Sequence, residues 1–311
     1  MSPVNIITEI PKPTFRHLPI IGTEVKPKPI TNPGWQLKLF RIYFKMVGTV
    51  MPKVAASQAL GIFIRPRKRY HTKRYAALLA KAEKFEVISN KLKINGYIWK
   101  NNGPTVMLAH GWETGGLHMG AFIEPLWKQG FQVIIFDGPA HGASEGRTAT
   151  LPDFAQAMLK IYQQVGPIQY MIGHSFGGFA SVFLAAEYAQ EVDLKKIVLI
   201  SVPNKLTRVL EDFARVLQLS PRVANQMRQL IKSTYQTDLQ DIETSKLGQH
   251  IHTEKLLVIH DRYDQVLPFH NALEIAHDLP QAELLETQYL GHNRLLKDSR
   301  VIDRVIGFLK N

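Results

Sequence analysis

The feature that most constrains this fold is a series of short, uninterrupted apolar runs that alternate with segments of helical pattern. The runs are TVMLAH, FQVIIFD, YMIGH, KKIVLIS and KLLVIHD, starting at Thr105, Phe131, Tyr170, Lys195 and Lys255. A strand that is apolar on both sides is buried on both faces, and strands that alternate with helices form mainly parallel sheets. The sequence therefore predicts an α/β fold with a mostly parallel sheet and helices on both faces.

About fifty residues, 204–254, separate the run KKIVLIS from the run KLLVIHD. An irregular loop of that length is uncommon inside a compact α/β domain, and the segment has helical patterning. Its first part carries an apolar stripe made of Leu206, Val209, Leu210, Phe213, Val216 and Leu217. We therefore expect a helical cap inserted at one end of the sheet. The stripe either packs on the main domain or lines part of an acyl-binding site.

The distribution of charge divides the chain into two parts. Residues 1–74 contain 14 Lys and Arg but only two acidic residues, whereas residues 75–311 contain 24 basic and 24 acidic residues. The first 34 residues are rich in proline, and two apolar segments of helical pattern follow them. We expect a basic N-terminal extension over residues 1–75, and a main domain over residues 76–311 that includes the insertion.

The composition also indicates a compartment. The chain has no cysteine, which excludes disulfides and thiolate metal sites and is typical of a protein from a reducing cytoplasm. The beginning of the chain is interrupted by prolines and lacks the apolar segment of a secretory signal. We therefore expect a cytoplasmic protein, and association with the inner face of the membrane stays open.

Three interpretations remain open for residues 35–74. In the first, the helices pack on the main domain and the basic side chains are solvated. In the second, apolar and aromatic faces beside a stripe of Lys and Arg bind an anionic membrane surface. The third is nucleic acid; it rests on charge alone, and the absence of a recognisable base-stacking module argues against it. The oligomeric state is not indicated by the sequence.

A serine between glycines follows the run YMIGH, in the stretch Gly173-His174-Ser175-Phe176-Gly177. The pattern Gly-X-Ser-X-Gly between a strand and a helix can form a sharp turn that lifts the serine hydroxyl above the sheet. The N-terminus of the following helix also favours developing negative charge. Ser175 is therefore the candidate nucleophile, and the alternative is an ordinary glycine-rich junction with a surface serine.

An earlier loop, AHGWETGG, follows the run that begins at Thr105. A backbone N–H group in such a loop can form an oxyanion hole together with the N–H group of the residue after the nucleophile. The candidate donors are the N–H groups of Trp112 and Phe176. The alternative is that the loop only shapes a turn, with Trp112 packed as a core aromatic residue.

Two later loops offer an acid and a base. The loop VIHDRYDQVLP contains Asp261 and Asp264, and Asp264 lies further into the loop, where its side chain can turn towards a neighbouring loop. The loop YLGHNRLL contains His292. Ser175, Asp264 and His292 follow one of the known chain orders for a serine–acid–histidine triad. His141, in FDGPAHGAS, is better explained as a side chain that hydrogen-bonds the loop backbone.

The motifs HGW, DGPAHGAS, GHSFGG, HDRYDQVLP and GHNRLL resemble, in their order, those of the α/β-hydrolase fold superfamily, from about Phe85 to the C-terminus. Within it, the chain resembles bacterial serine hydrolases with a small helical cap. The resemblance implies a mostly parallel sheet of about eight strands. It also implies site residues, with a nucleophile, acid and base at Ser175, Asp264 and His292, and with oxyanion donors at Trp112 and Phe176.

We expect hydrolysis of a carboxylic ester or thioester with an apolar acyl group, through an acyl-enzyme. The sequence has no GxxxxGK[ST] phosphate loop, no HExxH pair and no closely spaced cluster of histidines and carboxylates, so we expect neither a cofactor nor a metal. The alternatives are cleavage of a peptide or C–C bond, and a non-catalytic or membrane-surface binding protein on the same fold.

Overall fold

The computed structural model describes residues 20–22, 34–67 and 75–311. Its centre is a nine-stranded sheet in the order β1-β9-β8-β7-β6-β4-β5-β3-β2. The strands are β1 Ile20–Ile21, β2 Glu83–Ser89, β3 Leu92–Trp99, β4 Thr105–Ala109, β5 Gln132–Phe136, β6 Tyr170–His174, β7 Lys196–Ile200, β8 Lys255–Asp261 and β9 Ala282–Gln288. Only the pairings of β3 with β2 and with β5 are antiparallel among these strands. The predicted mostly parallel sheet of about eight strands is confirmed, and the two-residue β1 adds a ninth at one edge.

The apolar runs divide their side chains between two cores, one on each face of the sheet. In β4, for example, Met107 and Ala109 pack into one core, and Val106 and Leu108 pack into the other. Successive side chains of a strand point to opposite faces, so a strand with apolar residues at every position fills both cores. Helices therefore have to cover both faces of the sheet.

The helices are α1 Trp35–Val50, α2 Pro52–Phe63, α3 Ala76–Leu79, α4 Ile123–Lys128, α5 Leu151–Val165, α6 Phe176–Glu187, α7 Leu206–Leu217, α8 Pro221–Tyr235, α9 Thr244–Gly248, α10 His270–Asp278, α11 Gly291–Arg294 and α12 Ser299–Lys310. Helices α5, α6 and α10 cover one face, and α4 and α12 cover the other. The start of α5 is fixed by a capping box between Thr150 and Asp153. Short 3₁₀ helices occupy Gly116–Phe122 and Leu295–Lys297.

A third apolar cluster lies outside the sheet and joins the insertion to the N-terminal helices. We call it the cap cluster; its buried members are Phe44, Ala55, Ala56, Ala59, Leu210, Leu217, Val223, Met227, Ile231 and Leu239. The rings of Phe63 and Phe213 meet edge to face, with their centroids 5.1 Å apart. A Cβ atom added to Gly48 would lie 2.9 Å from a methyl group of Val223. Helices α1 and α2 therefore pack closely against α7 and α8.

This packing agrees with the first interpretation of residues 35–74, in which the N-terminal helices pack on the main domain, and it shows that their main partner there is the insertion. The apolar stripe predicted between Leu206 and Leu217 lies on α7, and part of it packs against the N-terminal helices. Leu210 and Leu217 are buried in the cap cluster, whereas Val216 remains exposed. Most of the predicted proline-rich arm, and the end of the basic run at 68–74, lie outside the described residues. In the described part of the chain, no helix combines the length and apolarity needed to cross a bilayer.

Candidate active site

Ser175 lies at a strained turn between β6 and α6. Its backbone has φ 52° and ψ −120°, a conformation that a residue other than glycine adopts only when its surroundings impose it. The surroundings are tight: a Cβ atom added to Gly173 would lie 2.3 Å from the Cα atom of Gly178, and one added to Gly177 would lie 2.4 Å from the Ala109 carbonyl oxygen. The glycines of the motif are therefore needed for close packing around the serine.

Asp264 and His292 come from two different loops and meet in the structure. The Nδ1–H group of His292 donates to Oδ2 of Asp264 over 2.8 Å. The other carboxylate oxygen, Oδ1, accepts the backbone N–H groups of Val266 and Leu267 at 2.8 and 3.0 Å. A carboxylate only accepts hydrogen bonds, so it fixes the histidine tautomer that carries its proton on Nδ1. Nε2 of His292 is then the basic nitrogen.

A second histidine, His260, supports the carboxylate of Asp264. Its Nε2–H group donates to the carbonyl oxygen of Leu267 at 2.8 Å and lies 3.4 Å from Oδ2 of Asp264. Burial by itself would raise the pKa of Asp264, but the hydrogen bonds from His260 and His292 outweigh it and hold that pKa well below its usual value. Asp264 is therefore ionised throughout the neutral range. The sequence pattern did not single out His260.

Asp261, the other carboxylate of the same loop, is used differently. It is fully buried, and its Oδ2 accepts the hydroxyl of Thr287 and the backbone N–H of Leu290, both at 2.8 Å. Its Oδ1 accepts the backbone N–H of Tyr263 at 3.0 Å. Asp261 thus ties the end of β8 to the loop that carries His292, and it positions the histidine without contacting it.

His174, the residue before Ser175, connects the serine turn to the histidine loop. Its Nε2–H group donates to the backbone carbonyl of His292 at 2.9 Å, and the two rings lie 4.7 Å apart. Burial, together with the neighbouring His292 and His118, lowers the pKa of His174 well below its usual value. This neutral, buried side chain brings His292 against the turn that carries Ser175.

The candidate oxyanion donors also lie beside this turn. The side-chain rings of Trp112 and Phe176 meet edge to face, with their centroids 5.1 Å apart. A Cβ atom added to Gly111 would lie 3.3 Å from Cβ of Ser175. Phe176 is the first residue of α6, and the N–H groups of a first helical turn have no acceptor within the helix. Both N–H groups therefore belong to segments that adjoin Ser175.

The remaining polar residues of these loops brace the backbone. Asp137 accepts the N–H groups of Gly116 and Ala143, both at 2.8 Å. The Nδ1–H group of His141 donates to the carbonyl of Pro139 at 2.8 Å, and burial lowers the pKa of His141 to about 3. This bracing is the role that the sequence favoured for His141. Among the described residues, no group of three or more histidines and carboxylates could hold a metal ion.

Together, the sheet order, the strained serine turn and the loops that meet around it define an α/β-hydrolase fold. The family model described as alpha/beta hydrolase fold matches residues 104–233. This range contains the serine turn and the candidate oxyanion loop, and it ends inside the insertion.

Two characterised relatives are similar in sequence. A pimeloyl-[acyl-carrier protein] methyl ester esterase of Nitrosomonas europaea is 28% identical over 233 residues, which cover 61% of this chain and 89% of that enzyme. A monoglyceride lipase of Mus musculus is 31% identical over 103 residues, which cover 29% of this chain and 33% of that enzyme. Both relatives are named for the hydrolysis of esters.

Solved structures share the fold at lower identity. An esterase of Pyrococcus furiosus superposes with a TM-score of 0.62 at 20% identity, over 79% of this chain and 97% of that one. Est1E of Butyrivibrio proteoclasticus, whose structure has ferulic acid bound, gives a TM-score of 0.57 at 19% identity, over 73% of this chain and 98% of that one. These similarities concern the fold alone.

Proposed function

We propose that the protein is a serine hydrolase that cleaves a carboxylic ester or a thioester through an acyl-enzyme. Ser175 is the nucleophile, His292 the general base and Asp264 the acid that orients it. The observation that carries the proposal is the 2.8 Å hydrogen bond from Nδ1 of His292 to the buried carboxylate of Asp264, beside a serine in a strained turn. The ester-hydrolysing relatives support the class of reaction.

In the first step, Nε2 of His292 takes the proton of the Ser175 hydroxyl while the serine oxygen attacks the substrate carbonyl. The ionised Asp264 holds the Nδ1–H group and stabilises the imidazolium that forms. The carbonyl oxygen becomes an oxyanion, which the N–H groups of Trp112 and Phe176 stabilise. Losing one such donor typically costs about 2.7–4 kcal/mol of barrier.

The tetrahedral intermediate then collapses to an acyl-enzyme. The bond between the carbonyl carbon and the leaving alcohol or thiol breaks, and the imidazolium of His292 gives its proton to the leaving group. In the second step, a water molecule gives a proton to His292 and attacks the acyl carbon. The bond to Ser175 breaks, the serine regains its proton from His292, and a carboxylic acid leaves.

We propose that the acyl group is apolar and enters under a composite cap made of the insertion 204–254 and the N-terminal helices. Leu206 packs against both the sheet core and the cap cluster. Arg67, beyond the end of α2, forms a bidentate ion pair with Glu113, the residue after Trp112, at 2.7–3.0 Å. These contacts support a cap that extends from the insertion to the oxyanion loop.

The proposed location is the cytoplasm, with the enzyme peripheral at the inner face of the membrane. An apolar acyl substrate concentrates in or near lipid, and residues 35–74 carry the charge that suits an anionic surface. The division into an extension over residues 1–75 and a hydrolase domain over residues 76–311 belongs to the same proposal. The cap cluster, which contains residues from both sides of that boundary, supports an extension that forms part of the cap.

The test is covalent labelling with a fluorophosphonate, followed by turnover of p-nitrophenyl esters of graded chain length. We expect labelling of Ser175 and its loss in Ser175→Ala, together with loss of turnover. The matched control is Ser201→Ala, which makes the same change at the end of the neighbouring strand β7, where φ is 49°. Full esterase activity in Ser175→Ala would refute the nucleophile. A wild-type protein that neither labels nor turns over would favour a binding protein on this fold.

A further inference from the structure

The outward side of α1 carries a continuous stripe of large apolar residues. We call it the α1 stripe; it consists of Trp35, Leu39, Ile42, Met46 and Val50. At about 100° per residue, these positions fall within roughly 80° of the helix circumference. All five side chains are exposed, and those of Trp35, Met46 and Val50 are 70%, 68% and 79% exposed. They form a single face that points away from the described fold.

In the described part of the chain, no element packs over this stripe. Helix α1 packs through a different side, on which Phe44 and Gly48 are buried and Val47 is half-buried against the cap cluster. An amphipathic helix normally buries one apolar face and exposes a polar one, whereas α1 has a second apolar face. Contiguous apolar patches of this kind on a protein surface mark sites of interaction with a protein, ligand or membrane.

The charge around the stripe identifies the chemistry of the partner. Residues 34–67 contain six basic residues and no acidic one. Lys38 and Lys45 are exposed and lie along one edge of the stripe, and Lys53 is exposed at the start of α2. A helix with an apolar face beside Lys and Arg lies in the plane of a lipid surface, where its apolar side chains enter the acyl region and its cations meet anionic headgroups.

The same charges argue against the other occupants. In a symmetric dimer built on this face, each copy would bring Lys38 and Lys45 next to their equivalents, and no acidic residue in 34–67 could compensate. A nucleic acid would use the cations but would leave the apolar stripe unexplained. An anionic bilayer satisfies both parts of the surface at once.

We propose that the protein docks on an anionic lipid bilayer through the α1 stripe, with α1 in the plane of the interface. Because α1 is packed on α7 and α8, docking holds the whole composite cap at the surface. Arg67 then connects this cap to the loop of Trp112 through Glu113. The further consequence, that an apolar acyl substrate passes from the lipid to Ser175, rests on the proposed function. The docking itself does not.

The experiment is vesicle flotation of the full chain carrying Ser175→Ala, so that hydrolysis plays no part in the readout. The vesicles are phosphatidylcholine alone, or phosphatidylcholine with phosphatidylglycerol, at low and at high salt. We expect flotation with the anionic vesicles that weakens as salt screens the surface charge. Protein that stays at the bottom of the gradient with anionic vesicles at low salt would overturn the proposal.

Two variants locate the contact. Met46→Glu places a carboxylate in the middle of the α1 stripe and should abolish flotation. The control Ile88→Glu makes the same kind of change at a 58% exposed position on β2 and should leave flotation unchanged. Lys38→Gln/Lys45→Gln should weaken binding about 30-fold, the contribution of two cations at an anionic surface; the control pair is Lys91→Gln/Lys195→Gln.

These measurements distinguish a lipid surface from a second copy of the chain as the partner of the α1 stripe. Equal flotation of Met46→Glu and the wild type would show that the stripe is not the contact. Self-association of the wild type in sedimentation velocity, lost in Met46→Glu and accompanied by no vesicle binding, would make the stripe an interface between copies and would also overturn the proposal. Unchanged thermal unfolding of Met46→Glu confirms that the variant is folded, as its exposed position leads us to expect.

Discussion

Replacing Asp264 with asparagine should reverse the tautomer of His292. The carboxylate oxygen Oδ1 accepts two backbone N–H groups, from Val266 and Leu267, so the carbonyl oxygen of the new amide has to take this place. Its NH₂ group then stands where Oδ2 was, 2.8 Å from Nδ1 of His292. An amide NH₂ only donates, so Nδ1 must accept and the histidine proton moves to Nε2.

In that tautomer the ring cannot take the proton of Ser175. The geometry is otherwise preserved, because the substitution changes a single atom in the side chain of Asp264. A triad forced into the wrong tautomer loses about 10⁴-fold in kcat, which corresponds to about 5.5 kcal/mol of barrier. KM should change little, because the side chain of Asp264 is fully buried behind His292.

The assay is steady-state hydrolysis of a p-nitrophenyl ester by Asp264→Asn beside Asp261→Asn. Asp261→Asn is the matched control, because Asp261 lies three residues before Asp264 and accepts three hydrogen bonds, but none from His292. We expect its free energy of unfolding to fall by about 1–3 kcal/mol, since a buried donor loses its acceptor, while kcat stays within about tenfold of wild type. If Asp264→Asn keeps more than a tenth of the wild-type activity and Asp261→Asn loses the larger share, Asp264 does not set the tautomer of His292.

Three further predictions concern the turn, the pH dependence and a positioning residue. Gly177→Ala should prevent stable folding, because its Cβ atom would lie 2.4 Å from a carbonyl oxygen at the end of β4. The control Gly61→Ala, where no atom lies within 4 Å of the added Cβ, should raise the free energy of unfolding in urea by about 0.5–1 kcal/mol. Equal free energies of unfolding for the two variants would contradict this prediction. Burial lowers the pKa of His110 to about 4, whereas in the unfolded chain this imidazole takes up a proton near pH 6.5. The free energy of unfolding should therefore fall by about 2 kcal/mol, through His110 alone, between about pH 7 and pH 5. Equal urea midpoints at the two pH values would count against this prediction. His174→Phe cannot donate a hydrogen bond to the carbonyl of His292, so it should lower kcat about tenfold with KM unchanged. His174→Gln, which can donate this bond, should restore most of the lost kcat. A change in KM alone would contradict the positioning role of His174.

Much of the sheet could be predicted because each central strand carries its own signal. The runs that start at Thr105 and Tyr170 are apolar at nearly every position, and both became strands buried between two cores. The strand β1 could not be predicted, since two residues carry no periodicity. Its pairing with β9 is decided by tertiary contact alone.

The sequence indicated the candidate site residues but not the residues that hold them in place. Asp264 was favoured over Asp261 because it lies further into its loop, and the structure brings Asp264 to His292. His174 and His260 were missed, because each acts through a contact that the local pattern does not contain. His174 bonds a carbonyl 118 positions away in the chain, and a histidine in a Gly-X-Ser-X-Gly turn gives no sign of that partner.

The N-terminal helices show the same limit. Apolar residues occupy most of the circumference of α1, so periodicity could not tell which of them would be buried. The insertion decides this, because α7 and α8 cover Phe44 and Gly48 and leave the α1 stripe exposed. Helix α1 and the insertion, which are separated by about 155 residues of sequence, thus have to be placed together before the exposed face can be recognised.

Rapid-quench mass spectrometry can detect the proposed acyl-enzyme on Ser175 during turnover. Mixing the enzyme with a p-nitrophenyl ester should give a burst of one p-nitrophenol per active site, followed by slower turnover. Peptide mapping of the quenched protein should find the acyl group on the Ser175 hydroxyl. Turnover without a covalent adduct, or with the acyl group on another residue, would show that Ser175 is not the nucleophile.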